Sequence, residues 1–134
     1  MRAVLDVNVL ASALLSRTGA PGRLIVLWLD GAFDLVISEA LLLELGRAFA
    51  YPKLRKHISG KDAADFIELL RATGSMRPDR EQPPHVSRDP GDDYLVALAT
   101  SSAAILVTGD RDLLSLVPKL PIQAPADFLK LLQP

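Results

Sequence analysis

The chain has 134 residues, 49% of them hydrophobic and 23% charged, with a formal net charge of −1. That length suits a single domain burying about two-thirds of its unfolded surface, and the composition excludes a disordered polymer or an acidic or basic tail. Near-neutrality argues against broad non-specific nucleic-acid binding, which rests on a basic surface, while leaving room for a local basic groove. The lack of cysteine excludes disulfides and thiolate metal ligands and agrees with a reducing cytosol.

Met1-Arg2 leads directly into a strand-like run, so no secretory signal is expected. Arg2 to Leu5 reads as a short buried strand closed by Asp6, and a helix is expected from about Asn8 to Ser16. Arg17 to Gly22 reads as a loop on its glycines and proline, followed by a helix from Arg23 to Leu29. The apolar run Leu24 to Leu29 is too short to span a bilayer. Phe33 to Ile37 is β-branched and apolar, a second strand, and Ser38 is a good N-cap for a helix from Glu39 to Ala50 that stops before Pro52. Basic residues gather after that proline: Lys53, Arg55, Lys56 and His57. A helix from Lys61 to Ala72 follows, ended by Gly74, with a short edge strand near Met76. Arg77 to Gly91, rich in proline, is expected to be irregular. Asp93 to Ser101 is a helix apolar nearly all round and therefore buried. Ala104 to Thr108 is a strand, Arg111 to Leu116 a short helix, and a strand near Ile122 and a helix from Ala126 to Leu132 close the chain. Strands alternating with helices predict a parallel α/β sheet covered on both faces.

Asp6, Glu44, Asp93 and Asp110, with Asp112 close behind, lie far apart in sequence, yet three share one context. Asp6 follows an apolar run, Asp110 follows another, and Asp93 opens the segment DYLVALA. In a parallel sheet such positions converge at the carboxyl edge of the strands, where ligands bind. Carboxylates gathered there repel unless hard cations neutralise them, so the pattern predicts Mg²⁺ or Mn²⁺. Each acid also has a structural reading. Asp6 or Asn8 could cap the first helix, Glu44 could pair with Arg47 at i+3, Asp92 or Asp93 could cap its helix, and Asp110 and Asp112 could serve the short helix they open. Their joint placement is what capping does not predict.

VLDVNVL, SEALLLEL, DPGDDYLVALA and ILVTGDRDLL, in that order and followed by APADFLKLL, resemble the PIN-domain proteins. Within them the likeness is to the VapC-like toxins of type II toxin–antitoxin systems. The resemblance covers essentially the whole chain. It implies a Rossmann-like, three-layer α/β/α sandwich with a parallel sheet of about five strands. It also implies a divalent-metal-dependent ribonuclease, cytoplasmic, usually a homodimer, and held in check by a cognate antitoxin. The family's first acid falls on Asp6, its glutamate on Glu44, its third acid on Asp93 with Asp92 as the alternative, and its fourth on Asp110 with Asp112 as accessory. Asn8, Ser38 and Thr108 fall on positions that support or border the site. Where relatives often carry Thr or Ser after the first acid this chain has Val7, which removes a hydroxyl but suits strand packing.

On that assignment Asp6, Asp93 and Asp110, with Asp112, hold one or two ions at a scissile phosphate, where such ions activate water and stabilise the leaving oxygen. Glu44 orients the water or completes the shell. His57 and His85 belong to no metal-ligand spacing and read as surface histidines. Arg17, Arg23, Lys53 and Arg111, with Arg55 and Lys56 behind them, are candidates for flanking phosphates, and ordinary solvated charge accounts for the rest. Aromatics are few, so selectivity is expected from RNA shape rather than a long stacking track. A haloacid-dehalogenase-like phosphatase would need an aspartate where Asn8 stands, and a phosphorylation receiver would need a strand-end Asp and Lys pair that is missing. The competing non-enzymatic reading is an inactive PIN scaffold that binds RNA or a partner; an RNA-processing nuclease without an antitoxin is the other. The helices after Pro21 and Lys61 offer faces for dimerisation or an antitoxin segment, or simply cover the sheet.

Overall fold

Positions 3–5, 35–37, 106 and 107 are apolar without alternation and all are buried, the pattern of strands covered on both faces. In the computed structural model, which describes every residue except Gln82, residues 84–89, residues 117–119 and Pro134, these runs form a parallel sheet. Its strands are β1 (Arg2–Leu5), β2 (Asp34–Ile37), β3 (Ser75–Met76), β4 (Ile105–Val107) and β5 (Ile122–Gln123). Helices α1 (Val7–Leu15), α2 (Ala20–Leu29), α3 (Glu39–Ala50), α4 (Pro52–Arg55), α5 (Gly60–Thr73), α6 (Asp93–Ser101), α7 (Arg111–Leu114) and α8 (Pro125–Leu132) connect and cover them. The architecture is the three-layer α/β/α sandwich expected.

The strand order is β3-β2-β1-β4-β5, every pair parallel. Ala3 pairs with Leu35 on one side and Ile105 on the other, and Leu5 with Val107. The chain therefore runs outward from β1 in one direction, then returns to build β4 and β5 on the other side. The direction reverses between β1 and β4, and the crevice beyond the carboxyl ends of those two strands is where such a sheet binds ligands.

Helix α3 illustrates how local sequence positions a side chain. The Ser38 hydroxyl accepts from the Leu41 amide at 3.2 Å, and Asp79 Oδ2, arriving from beyond β3, accepts from the Ala40 amide at 2.9 Å. Two of the orphan donors of the first turn are thus satisfied. Leu41, Leu42, Leu45 and Phe49 form the buried stripe, and Phe49 meets Phe66 of α5 edge to face at 6.3 Å. The helix ends at Ala50 because Tyr51 precedes a proline and turns extended.

Several boundaries differ from expectation. The first helix starts at Val7, so Val7 packs as a helix-start residue and not in a strand. The loop expected from Arg17 to Gly22 is shorter: α2 begins at Ala20, with Pro21 in the first turn, where its missing N–H costs nothing. A one-turn helix, α4, was not expected after Pro52, since four residues are too few to show a period. The segment expected to be irregular holds a 3₁₀ turn at Pro90–Asp92, and much of the remainder lies outside the described residues.

Gly22 is held by proximity. A Cβ there would lie 2.4 Å from the Ser16 carbonyl oxygen and 2.7 Å from Arg17 Cα. Helix propensity favours alanine over glycine by about 1 kcal/mol, while overpacking against backbone costs about 1–3 kcal/mol, so the steric cost should win. Gly22→Ala is expected to lower the urea midpoint with an unchanged m-value; an unchanged or higher midpoint would mean that the α1–α2 junction shifts freely.

Candidate active site

The amide of Asp6 continues the β1–β4 ladder, donating to Val107 O at 2.9 Å, and so fixes where β1 ends. Its side chain is 7% exposed. Asp6 occupies the N-cap position of α1, yet its carboxylate closes no capping bond. Instead Oδ2 accepts a 2.6 Å hydrogen bond from Thr108 Oγ1, across the β1–β4 reversal point. The same hydroxyl oxygen accepts from the Asp110 amide at 3.0 Å. One fully buried threonine thus holds the first acid and sets the backbone from which the fourth projects.

Burial pushes the Asp6 carboxyl above its ordinary value. The Thr108 hydrogen bond pulls the other way, as do the Val7 and Asn8 amides, too poorly aligned to cap; the charge of Asp110 adds a further push upward. Asp110 realises its capping reading, with Oδ1 accepting from the Asp112 amide at 2.8 Å. Asp112 is exposed on the first turn of α7.

Asp6 opens into a cleft of about 260 Å³ whose walls also include Asn8, Glu44, Arg47, Tyr51, Asp92 and Tyr94. Glu44 reaches this cleft from the flank of α3 and also makes the anticipated i+3 ion pair with Arg47. Both side chains are well exposed, so the pair contributes little to stability. Asp92 lines the cleft, while Asp93 is 4% exposed in the first turn of α6 and, like Asp110, is not among the lining residues. Among the described residues, no three acidic or histidine side chains are close enough to form a ready-made cation cage. Asp110 lies near enough for its charge to act on Asp6, while one of its own oxygens is occupied in opening α7.

Two residues were not anticipated. Tyr94 is half-buried, and its phenol is pushed far above the usual tyrosine range, first by burial and then by the charges of Asp6, Glu44, Asp92 and Asp79. Burial and these charges keep its hydroxyl protonated. Asp79 clamps the start of α3 with one oxygen, while the other is buried without a partner among the described residues. Neither carried a local signal: Tyr94 stands in an apolar helix and Asp79 in a proline-rich stretch.

A PIN domain family profile matches residues 2–112. The chain belongs to the PIN domain family. It is 32% identical over 120 residues to the uncharacterized protein MJ1680 of Methanocaldococcus jannaschii, spanning 87% of this chain and 75% of that one. Its fold is VapC-like. It is similar to a chain of VapBC2 from Rickettsia felis, solved bound to a promoter DNA fragment, with a TM-score of 0.63, 14% identity and coverage of 92% and 98% of the two chains. It is likewise similar to a chain of VapBC-1 from nontypeable Haemophilus influenzae, with a TM-score of 0.61, 19% identity and coverage of 94% and 99%. PIN domains are in general nucleases that use divalent metals.

The basic residues fall at different distances from this PIN cleft. Lys53 lines the groove next to it, and Arg47, named in the sequence only as a partner for Glu44, stands inside it. Arg111 is exposed beside Asp110. Arg17 lines a separate cavity with His57, and Arg23 donates to Gln133 Oε1 at 3.2 Å, linking α2 to the end of α8. Ser38 acts through α3, by capping it. His85 lies outside the described residues.

Because the folded protein raises the Asp6 pKa above its ordinary 3.8, the native state binds that proton more tightly than the unfolded chain. Below pH 3.8 both states are protonated and the burial costs nothing. As pH rises through the elevated value, the ionised carboxylate destabilises the fold. In chelator, wild type and Asp6→Asn should therefore have similar urea midpoints at low pH, with the variant more stable at neutral pH. Mg²⁺ should reverse that order by binding the native wild type. A wild type more stable than the variant at neutral pH in chelator would mean that Thr108 and the amides outweigh burial.

Proposed function

We propose that this PIN-domain protein is a divalent-metal-dependent ribonuclease that hydrolyses RNA phosphodiester bonds, and that it is the toxin of a toxin–antitoxin pair. The observation that carries the reading is Asp6: a buried carboxylate, fixed by Thr108 beside Asp110, opening on a cleft that holds Glu44 and Asp92. A carboxylate whose charge is disfavoured by burial gains from an adjacent cation. Every acidic donor here is a hard oxygen, the donor type that suits Mg²⁺ or Mn²⁺, and Mg²⁺ keeps several of its waters and needs few protein ligands. The sparse set Asp6, Asp93 and Asp110, with Asp112 or Asp92 in reserve, fits such an ion. Bound there, the metal supplies water activation and charge neutralisation at the phosphate.

The protein's own groups have separable roles. Asp6 and Asp110 orient ligand oxygens from the ends of β1 and β4. Glu44, the more accessible acid, orients the attacking water and accepts its proton. Arg47 can leave its exposed pair with Glu44 for a phosphate oxygen, since such a pair holds it only weakly. Tyr94 stays protonated and offers its hydroxyl as a donor to the same oxygens. The likeness to chains of VapBC assemblies supports an antitoxin partner, and the reading includes a homodimer and a cytoplasmic setting. No helix among the described residues is long and apolar enough to cross a membrane.

A second reading, an inactive scaffold that binds RNA or a partner, draws support from the absence of a preformed cage among the described residues. The two separate in one assay: cleavage of single-stranded and structured RNAs with Mg²⁺, Mn²⁺ or chelator, Asp6→Asn run alongside. Residues that merely orient metal ligands typically cost about 10- to 100-fold when removed, so Asp6→Asn should cost at least that. Cutting that survives chelator or the substitution would refute the metal mechanism. Metal binding without any cutting would favour the scaffold.

A further inference from the structure

We infer that the groove adjoining the acidic cleft is a nucleotide subsite, in which Tyr51 stacks one unpaired base and Lys53 contacts a neighbouring phosphate. The inference rests on the ribonuclease reading and adds a place for one nucleotide beside the acidic cleft. The chain has only two tyrosines, and both line the acidic cleft. Tyr94 is half-buried within it, whereas Tyr51 stands at its lip, 67% exposed.

An exposed ring at the end of a helix is ordinarily mobile, but the backbone under this one is pinned on both sides. The Tyr51 amide donates to Ala48 O at 3.2 Å, and its carbonyl accepts from the Leu54 and Arg55 amides at 3.1 and 2.9 Å. Pro52 holds the residue extended between α3 and α4. Little backbone ordering is left to cost on binding, which is the condition for a preformed stacking surface.

The space beside the ring has the right size and lining. A groove of about 570 Å³ runs between α1 and the α3–α4 corner, walled by Ala11, Leu15, Ala48 and Leu54. It shares Asn8, Ala48 and Tyr51 with the acidic cleft, so a strand whose phosphate lies at Asp6 continues directly into it. Apolar walls and one tyrosine face suit a base of any identity. Lys53 supplies the positive charge that a following phosphate needs, in a protein whose net charge offers no general attraction. A paired base cannot leave its stack to reach the ring without the cost of opening the duplex, so the groove selects unpaired RNA.

The test uses the full chain carrying Asp6→Asn, expected to slow cutting by at least about 10- to 100-fold, in Mg²⁺. Its affinity for labelled oligoribonucleotides is read by fluorescence anisotropy, with cleavage KM in the otherwise wild-type chain as a second readout. Adding Tyr51→Ala should weaken binding of a single strand by about 5- to 150-fold, the range for loss of one stacked base. Tyr51→Phe should restore it, because the ring and not the hydroxyl does the stacking. Lys53→Ala should weaken binding and flatten its salt dependence by about one phosphate contact. An abasic nucleotide walked along the RNA needs no protein variant. At one position it should cost as much as Tyr51→Ala, and there the two changes should not add. Equal affinity for Tyr51→Ala and its parent, or additive costs at every abasic position, would overturn the subsite. An unmutated chain that neither binds nor cuts any RNA would overturn the ribonuclease reading itself.

Discussion

The Thr108 hydroxyl joins the two halves of the sheet at the point where strand order reverses, and the arrangement of acids follows from it. It donates to Asp6 at the end of β1 and accepts from the amide of Asp110 beyond β4. Without it, Asp6 would be a buried carboxylate held by imperfectly aligned amides, and the turn into α7 would lose its anchor. A buried hydroxyl with both its donor and an acceptor position used rigidifies its surroundings. Here the surroundings are two strand ends, one carrying Asp6 and the other leading to Asp110.

The opposite wall of the cleft depends on a different device. Helix α3 carries Glu44 and Arg47, and its start is fixed by Ser38 from the preceding strand and by Asp79 from 39 residues downstream. The charge of Asp79 is also felt by Tyr94 on α6. The start of α3 is thereby tied through polar groups to the end of β2 and to the segment beyond β3, while its apolar face packs into the core. That division lets the cleft hold several carboxylates while the core beneath it stays apolar.

Much of this could be read from the residues in order. Helices α3 and α6 match their expected bounds, because each starts at a recognisable cap or strand end and carries an unambiguous apolar period. Of the four acids singled out in the sequence, Asp6 and Glu44 line one cleft; Asp92, the alternative to Asp93, lines it too, while Asp93 and Asp110 stand outside its lining. Other features could not be read locally. Tyr94 looks like one more core residue in an apolar helix, and its role depends on carboxylates from three other segments. Asp79 acts across 39 residues, and nothing near it in sequence marks the helix it caps. The basic residues Arg17, Arg23 and Lys53 are alike as letters; which of them borders the cleft is decided by how helices pack, and periodicity does not report that.

The bond between Asp6 and Thr108 closes over 102 residues, and the pairing of β1 with β4 spans a similar distance. Contacts so remote in sequence form late, after the entropy of a long loop has been overcome. During synthesis the amino-terminal acid leaves the ribosome long before the threonine that fixes it exists. Domains generally fold as units, so the acid at the end of β1 stays unfixed until the segment holding Thr108 has been made. A nuclease built in this way would carry no assembled centre before that point.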